Sequence, residues 1–424
     1  MNNHYCDVIV FGGGTAGVSA AYIAAKKGLK TILIEKSDVL GGSITQGLVV
    51  PSMKLETENI NTEFIEDVKL FADKYNARTT YKDGNENWYN PELLKIVLDD
   101  MLSSVDCTVL FSSNPVKIDY NGKFNTKIEH NLLSLYIVSK YIVDATANGK
   151  IFKLLNYSFQ EKNEKKQATS LRFMLSNINL ETFSNWILSI DSDRTVTTVD
   201  RLNNSIHLST AYTWDTDKNW ALAPIFTQAV INNDLEYTDT AYFQVFTVAG
   251  MPNTLAFNCP RILLADNEDI LDPFIYSKAI MQGRERVYRL YNFVKKYFKG
   301  CENSFISHIS DVLGVRESYR IKGKYTFTKD NIINPKKFEN IAFASNYPID
   351  IHSNNKNSGK LEFTNHTYYI PVESLISFDN EKLYGVGRII SADFEAHAAV
   401  RTQINCFSMG EAVAKDIHKK IKER

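Results

Sequence analysis

The residues from Cys6 to Lys36 read CDVIVFGGGTAGVSAAYIAAKKGLKTILIEK, and their glycine spacing leaves little freedom in what this chain can fold into. Residues 6–11 are a short, mostly apolar, β-rich run. Gly12, Gly14 and Gly17 then give the spacing G-x-G-x-x-G, and residues 16–27 are small and helix-forming. A strand therefore turns sharply into a helix. Gly12 permits the tight turn, Gly14 lets backbone approach a pyrophosphate, and Gly17 lets the helix pack close to the sheet. The phosphates are expected on the helix amino terminus, beside Thr15 and Ala16, where unsatisfied N–H groups and the positive dipole end favour an anion. Gly28 ends the helix as a C′ glycine. A second run, residues 30–34, leads into Glu35, about twenty residues beyond the glycines, where a carboxylate accepts from ribose hydroxyls. The same carboxylate repels a 2′-phosphate, so the expected nucleotide is an unphosphorylated adenosine, as in FAD or NAD.

A chain of 424 residues is too long for one ordinary core and is expected to form two domains. Its 48 Lys plus Arg balance 49 Asp plus Glu, with no long block of one sign. That argues against a nucleic-acid or membrane-surface partner chosen by charge and for a small-molecule substrate. The start MNNHYCDVIVF lacks the features of a signal peptide, and no run reaches about 18 uninterrupted apolar residues, so no membrane insertion and a cytoplasmic location are expected. Five scattered cysteines without a C-x-x-C pair, and eight histidines without H-E-x-x-H spacing, signal neither a disulfide framework nor a metal.

Beyond Glu35, the small segment from Gly41 through Gly42 and Ser43 to Gly47 suits close contact with the ribityl and flavin end of a cofactor. Residues 61–76 and 90–105 read as helices, the second opened by Asn90 as N-cap with Pro91 at N1. Residues 107–111 and 132–143 read as strands. From about 151 to 310 the texture changes: fewer glycines, more aromatics, helices at 180–190 and 272–298, and a strand-rich stretch at 242–261 with a turn signal at Pro252-Asn253. Gly300 closes the long helix. Residues 324–328 alternate as a strand, and residues 354–359 read as a mobile surface loop. At the carboxyl end a strand at 382–386, a turn at 387–391 and a small-residue helix at 396–420 resume the opening pattern. The expected fold class is α/β. A Rossmann-like, glutathione reductase-like FAD-binding domain (1–150 and 331–424) carries an inserted α+β substrate or cap domain (151–330).

In combination these motifs resemble the FAD-dependent oxidoreductases of the fumarate reductase and succinate dehydrogenase flavoprotein superfamily, and within it the family marked by an internal G-x-R-E-S motif. The match is carried by Gly12 to Gly17, Glu35 with Lys36, Gly41-Gly42, Asp144-Ala145-Thr146, Gly314-Val315-Arg316-Glu317-Ser318, the stretch from Tyr347 to His352, Tyr369-Ile370-Pro371, and Gly387-Arg388 through His397, Arg401 and Gly410. The resemblance implies that Glu35 binds the adenosine ribose, that Lys36, Ala145, Thr146, Gly387 and Arg388 lie along the cofactor, and that the helix from about Ala396 points its amino end at the flavin. There Arg401 would stabilise negative charge on the reduced ring, or stand simply as a helix surface residue. Two departures stand out. Ala147-Asn148-Gly149 replaces the family's usual Gly-Asp-Gly, and Tyr319 stands where a second arginine is common.

A flavin supplies the electron chemistry, so the protein has to position a substrate, place a proton donor or acceptor, and exclude water. Arg316 and Arg320 are candidates to clamp an anionic substrate or relay a proton, the plain alternative being a salt bridge with Glu317. His397, at the start of the flavin-facing helix, suits a neutral base or donor, or a structural role. His352 is a weaker candidate to orient substrate, and Arg261 and Arg284 are weaker still. No second G-x-G-x-x-G is present, which leaves the electron donor or acceptor open. The expected activity is hydride transfer between non-covalently bound FAD and a small organic substrate. The alternatives are an oxygen-using oxidase or monooxygenase of a biosynthetic pathway, or a non-catalytic flavin-binding subunit. A homodimer is left open.

Overall fold

The computed structural model describes residues 3–53, 58, 60–81, 84–161, 166–202, 205–212, 220–352, 354 and 360–423. Strand β1 (Asn3–Phe11) is central to the first sheet, and Val8, Ile9, Val10 and Phe11 are all buried, as a parallel strand covered on both faces requires. Alternation divides them: Val8 and Val10 pack into the core that holds helix α1 (Thr15–Lys26), whereas Ile9 and Phe11 join a separate cluster on the other face. Strand β2 (Thr31–Ile34) pairs with β1 in parallel. Helix α2 (Glu63–Lys74) and helix α3 (Pro91–Ser104) follow, and the Asn90 side chain accepts from the N–H groups of Glu92 and Leu93. Strands β3 (Thr108–Leu110), β4 (Asn114–Tyr120), β5 (Phe124–His130) and β6 (Leu133–Asp144) complete the order β3-β2-β1-β6-β5-β4. The first four of that order run parallel, and β5 and β4 continue as antiparallel hairpin strands. Helix α4 (Lys150–Leu154) closes this half.

A second, six-stranded antiparallel sheet is made of β7 (Phe173–Ser176), β8 (Thr197–Leu202), β9 (Ser205–Tyr212), β10 (Phe243–Val248), β11 (Met251–Phe257) and β12 (Phe305–Ile309), in the order β8-β9-β10-β11-β7-β12. Phe173, Leu175, Phe243, Val245 and Phe257 pack with helix α5 (Leu180–Ile190) and the long helix α6 (Pro273–Tyr297). Phe173 lies directly opposite Phe257, with ring centroids 4.6 Å apart, a pair worth about 0.5–1.5 kcal/mol beyond its buried area. On the opposite face Met174, Phe246 and Ala256 meet Leu48, Val50, Tyr81 and Trp88 from the first half of the chain.

The chain rejoins the first core at Ile321 and Phe327. Strand β13 (Leu383–Gly385) pairs in parallel with β6 and enlarges the first sheet to seven strands. Helix α7 (Phe394–Val400) and helix α8 (Gln403–Lys422) finish the chain. α8 lies against α1 so closely that a Cβ on Gly410 would stand 2.2 Å from the Ala16 carbonyl oxygen. The whole is α/β with a Rossmann-like parallel core.

Several local expectations change. The turn between β10 and β11 is at Ala249-Gly250, where Gly250 takes φ +64°, and Pro252-Asn253 lies within β11. Residues 324–328 form no strand, because the neighbouring Gly323 and Phe327 bridge to two different partners, Ser377 and Ala392. The expected helix 396–420 is two helices broken at Arg401 and Thr402. Of the loop 354–359, all but Asn354 lies outside the described residues.

Candidate active site

The glycine turn is built as its spacing requires. Gly12 has φ +96°, and a Cβ there would fall 2.4 Å from the Ala145 carbonyl oxygen; one on Gly17 would fall 1.8 Å from the Gly12 carbonyl oxygen. Gly14 differs: its φ is −73°, and a Cβ would meet nothing within 4 Å. Gly14 is also the N-cap of α1, with no side chain capping the helix and no acidic residue in its first turn. The open space, the uncapped N–H groups and the dipole thus coincide, and they fit a pyrophosphate. Gly42 crosses close above, where a Cβ would be 3.1 Å from the Gly14 Cα, and the hydroxyls of Thr15 and Ser43 lie 3.3 Å apart. Ala16 packs beneath, 3.6 Å from where a Cβ of Gly387 would stand.

Glu35 is buried at the end of β2, and its carboxylate already works inside the protein. Oε2 accepts from the Gly13 N–H at 2.6 Å, and Oε1 accepts from the N–H and hydroxyl of Ser37 at 2.8 Å each. The acid therefore fixes the glycine turn as well as offering its remaining lone pairs. Lys36 is exposed, and burial together with the charge of Lys36 holds the Lys150 ammonium below the usual lysine range.

At the end of β6 the roles shift from those expected. Asp144 is fully buried and accepts from the Thr146 N–H and hydroxyl and from the Ile151 N–H; the Thr146 oxygen accepts in turn from the Lys150 N–H. Thr146 is thus spent on the turn, and Ala145 acts by underlying Gly12. Ala147, at φ +66°, occupies a left-handed conformation where the resembled family has glycine. Arg388 holds it there. Nε donates to the Ala147 carbonyl at 2.7 Å, Nη2 to Asn148 Oδ1 at 2.6 Å and Nη1 to the Val315 carbonyl at 2.6 Å, so its guanidinium clamps two loops. His397 is placed in the interior beside Arg388. It is fully buried, with Nε2 donating to the Arg388 carbonyl at 2.7 Å, and burial followed by the charges of Arg320 and Arg401 pushes its pKa down to about 3. The imidazole is neutral, and its Nδ1 has no partner among the described residues. The α7 amino terminus is closed by Asp393, whose side chain accepts from the Ala396 N–H. The uncapped helix end belongs to α8, where Thr402 makes no side-chain cap and its buried hydroxyl has no partner among the described residues.

The segment 167–172 gathers what lies beside that helix end. Gln167 Oε1 accepts from Arg401 Nη2 at 3.2 Å; the Ala168 N–H donates to the His352 carbonyl and its carbonyl accepts from Arg316 Nη1 at 2.7 Å; Ser170 pairs with Arg261 on one side and bridges Gly314 on the other. Arg172 Nε donates to Asn258 Oδ1, which stands beside Tyr242 and Gln244. Arg261 stacks over the Tyr242 ring at 4.4 Å and bonds through Nη2 to Nδ1 of His352, whose Nε2 meets Asp350 at 3.0 Å. Arg261, Arg316 and Arg401 thus act on one carboxylate, Asp350, and Arg172 stands close enough to Arg316 and Arg401 to add to their positive field. Burial, then Arg401, Arg261 and Arg172, push Arg316 down to about 9; burial brings Arg172 down to about 10 and also lowers Arg261. Burial alone would neutralise Asp350, but His352 and the arginines outweigh it and keep it ionised; burial holds His352 neutral.

Of the residues singled out from sequence, Arg316, Arg401, His352 and Arg261 come together here. Arg320 sits at the edge, paired with Glu317 at 2.5 Å, beside a cavity of about 60 Å³ that Gln167 also lines. Arg172, Asp350 and Tyr242 join unforeseen. A larger groove of about 1260 Å³, lined by residues such as Arg78, Asn177, His207 and Asn303, includes none of the sequence-derived site residues.

The model of the family described as "FAD dependent oxidoreductase" matches residues 7–423. A soluble pyridine nucleotide transhydrogenase of Chromohalobacter salexigens is 30% identical over 137 residues, 31% of this chain and 27% of that protein. A digeranylgeranylglycerophospholipid reductase of Methanocaldococcus jannaschii is 36% identical over 187 residues, 42% of this chain and 47% of its own length. The matched stretches therefore span less than half of these relatives. A geranylgeranyl bacteriochlorophyll reductase-like structure from Thermoplasma acidophilum aligns with a TM-score of 0.49 and 16% identity, covering 100% of this chain and 80% of that one.

Proposed function

This chain belongs to the FAD dependent oxidoreductase family, and from that premise we propose that it transfers a hydride between non-covalently bound FAD and a small organic substrate held at the arginine cluster. FAD is the family's cofactor, and it supplies hydride acceptance and donation at its ring. The observation that carries the reading is the adjacency of the uncapped α8 terminus and Arg401 to Gln167, Arg316, Arg261 and Arg172.

In this reading Gly12, Gly14, Thr15, Ala16 and Gly17 receive the pyrophosphate, Glu35 and Lys36 the adenosine end, and Gly42 and Ser43 the middle of the cofactor. Arg401 offers positive charge to the flavin edge. Residues 1–150 and 331–424 form the nucleotide-binding part and 151–330 the substrate part, with the return beginning at Ile321. The G-x-R-E-S grouping enters through Arg316, which touches the segment 167–172, while Glu317 and Arg320 border the neighbouring cavity.

The test is the visible spectrum of the purified chain before and after acid precipitation, followed by anaerobic titration with small donors. Flavin bands, FAD in the supernatant and bleaching by an organic donor support the reading. A colourless chain that takes up no added FAD overturns it. Fast reoxidation by oxygen would favour an oxidase or monooxygenase.

A further inference from the structure

Independently of the flavin reading, we infer that this chain forms a two-fold dimer through the outer face of α6, the partner being a second copy of itself. The inner face of that helix is consumed by the core, where Ala279, Gly283, Val287, Leu290, Phe293 and Val294 are buried. On the outer face Phe274, Met281 and Tyr288 are 83%, 70% and 61% exposed. They stand seven residues apart, and seven residues make nearly two helical turns, so the three side chains form one apolar stripe along the 25-residue helix. Large apolar groups exposed singly are ordinary, whereas a stripe at heptad spacing is the seam on which helices pair. Phe305, exposed at the start of β12, lies beside it, since its neighbour Ser304 accepts from the Tyr291 hydroxyl at 3.2 Å.

Charge chooses the occupant. Lys278 is paired with Glu268 at 2.8 Å, Arg289 with Asp239 at 2.9 Å and with Glu285 at 2.8 Å, and Lys296 with Asp234 at 2.6 Å. Arg286 donates to the carbonyl of the buried Arg261. Among the described residues that leaves Arg284 and Lys295 of α6 without an acid, fewer than the roughly four to eight basic groups that hold a helix on an anionic membrane. A second copy fits instead. A two-fold axis crossing α6 between Met281 and Gln282 runs the two helices antiparallel and sets Met281 against its own copy. Phe274 then stands within about one residue's rise, ~1.5 Å, of the level of Tyr288 in the second copy. Lys278 comes level with Glu285 of the second copy, and the symmetry repeats the pair. Both lie on the same flank of the stripe, and in an antiparallel pair like flanks face each other. Their side chains are 56% and 69% exposed, so each has room for a second partner of opposite sign. Glu268, Lys278, Glu285 and Arg289 then alternate in sign across the contact, which fixes its register. The helix face, about 37 Å by 10–12 Å, covers half of the ~800 Å² per partner of a standard interface, so a dissociation constant in the micromolar range is expected.

The experiment is sedimentation equilibrium of the full chain from micromolar to hundreds of micromolar. A species of twice the 48.2 kDa chain mass is expected to grow with concentration. Met281→Lys sets two like charges at the axis and is expected to weaken the dimer at least about tenfold, while the urea midpoint stays that of the parent because the side chain is exposed. Lys278→Glu and Glu285→Lys are each expected to weaken self-association. An equimolar mixture of those two variants is expected to dimerise as the parent does, because both contacts of the mixed pair again join opposite charges. A parent chain that stays monomeric at the highest concentration, or a dimer indifferent to Met281→Lys, overturns the proposal. A mixture that associates no better than its components overturns it too. Binding of a monomeric parent to phosphatidylglycerol vesicles, lost in Met281→Lys, would assign the stripe to a membrane and overturn it as well.

Discussion

Nη2 of Arg401 donates to Oε1 of Gln167 at 3.2 Å, across a separation of 234 residues in the chain. The arginine stands at the break between α7 and α8, and the glutamine opens the segment that also receives Arg316, Arg261 and His352. One contact therefore ties the helix end nearest the cofactor's expected ring to the groups expected to hold substrate.

Replacing Arg401 with Met removes a fixed positive charge from that helix end. The two-electron midpoint potential of the bound flavin is expected to fall by about 30–60 mV, equivalent to about 1.4–2.8 kcal/mol less stabilisation of the reduced form. Equilibration with a reference dye measures it; an unchanged potential removes Arg401 from the flavin edge.

The three motif glycines are expected to separate into two kinds. Gly14→Ala keeps an allowed φ and meets no atom within 4 Å, so its unfolding free energy should stay within about 0.5 kcal/mol of the parent, while FAD affinity drops about tenfold or more. Gly17→Ala drives a methyl into the Gly12 carbonyl and should cost more than about 3 kcal/mol or prevent folding. Urea unfolding and FAD titration of both variants check this.

His397 gives the fold an acid sensitivity. Its folded pKa, about 3, lies below the ordinary 6.5, so the unfolded chain binds more protons between these values. Its contribution is whole above pH 6.5 and is lost as pH falls toward 3, by about 1.4 kcal/mol per unit at most. Urea unfolding at pH 7, 6 and 5 should show a shallower decline for His397→Gln than for the parent chain.

Ala147→Gly should stabilise the fold by about 0.5–1 kcal/mol, because a left-handed alanine carries strain of about 1–2 kcal/mol that exceeds the entropy glycine adds to the unfolded chain. A melting temperature at or below the parent's would show that the Arg388 clamp fits only the alanine backbone.

The nucleotide end was legible because its signals are local: three glycines, a strand before them, a helix after them and Glu35 at the right distance. The arginine cluster was only partly legible. Arg172 lies in Gln167-Ala168-Thr169-Ser170-Leu171-Arg172, a segment with no motif, and it meets Asn258, Arg316 and Arg401 only through pairings of residues far apart in the chain. The expected helix 396–420 hid its break, since Arg401 and Thr402 are ordinary helix residues and tertiary hydrogen bonds decide that the chain turns there. The sequence could not show that Arg388 reaches two loops, through the Ala147 and Val315 carbonyls and the Asn148 side chain, or that His397 Nε2 donates to the Arg388 carbonyl, because these partners lie far along the chain or in a turn.

The Ser19 hydroxyl donates to the Phe407 carbonyl at 2.6 Å, across 388 residues, where α8 lies on α1. During synthesis α1 emerges early, yet the helix that covers it is made some four hundred residues later. Ala16, Ser19 and Ala20 are the residues of α1 on which Gly410 of α8 closes. The first turn of α1 therefore reaches its final packing only when residues 15–26 and 403–422 are present together.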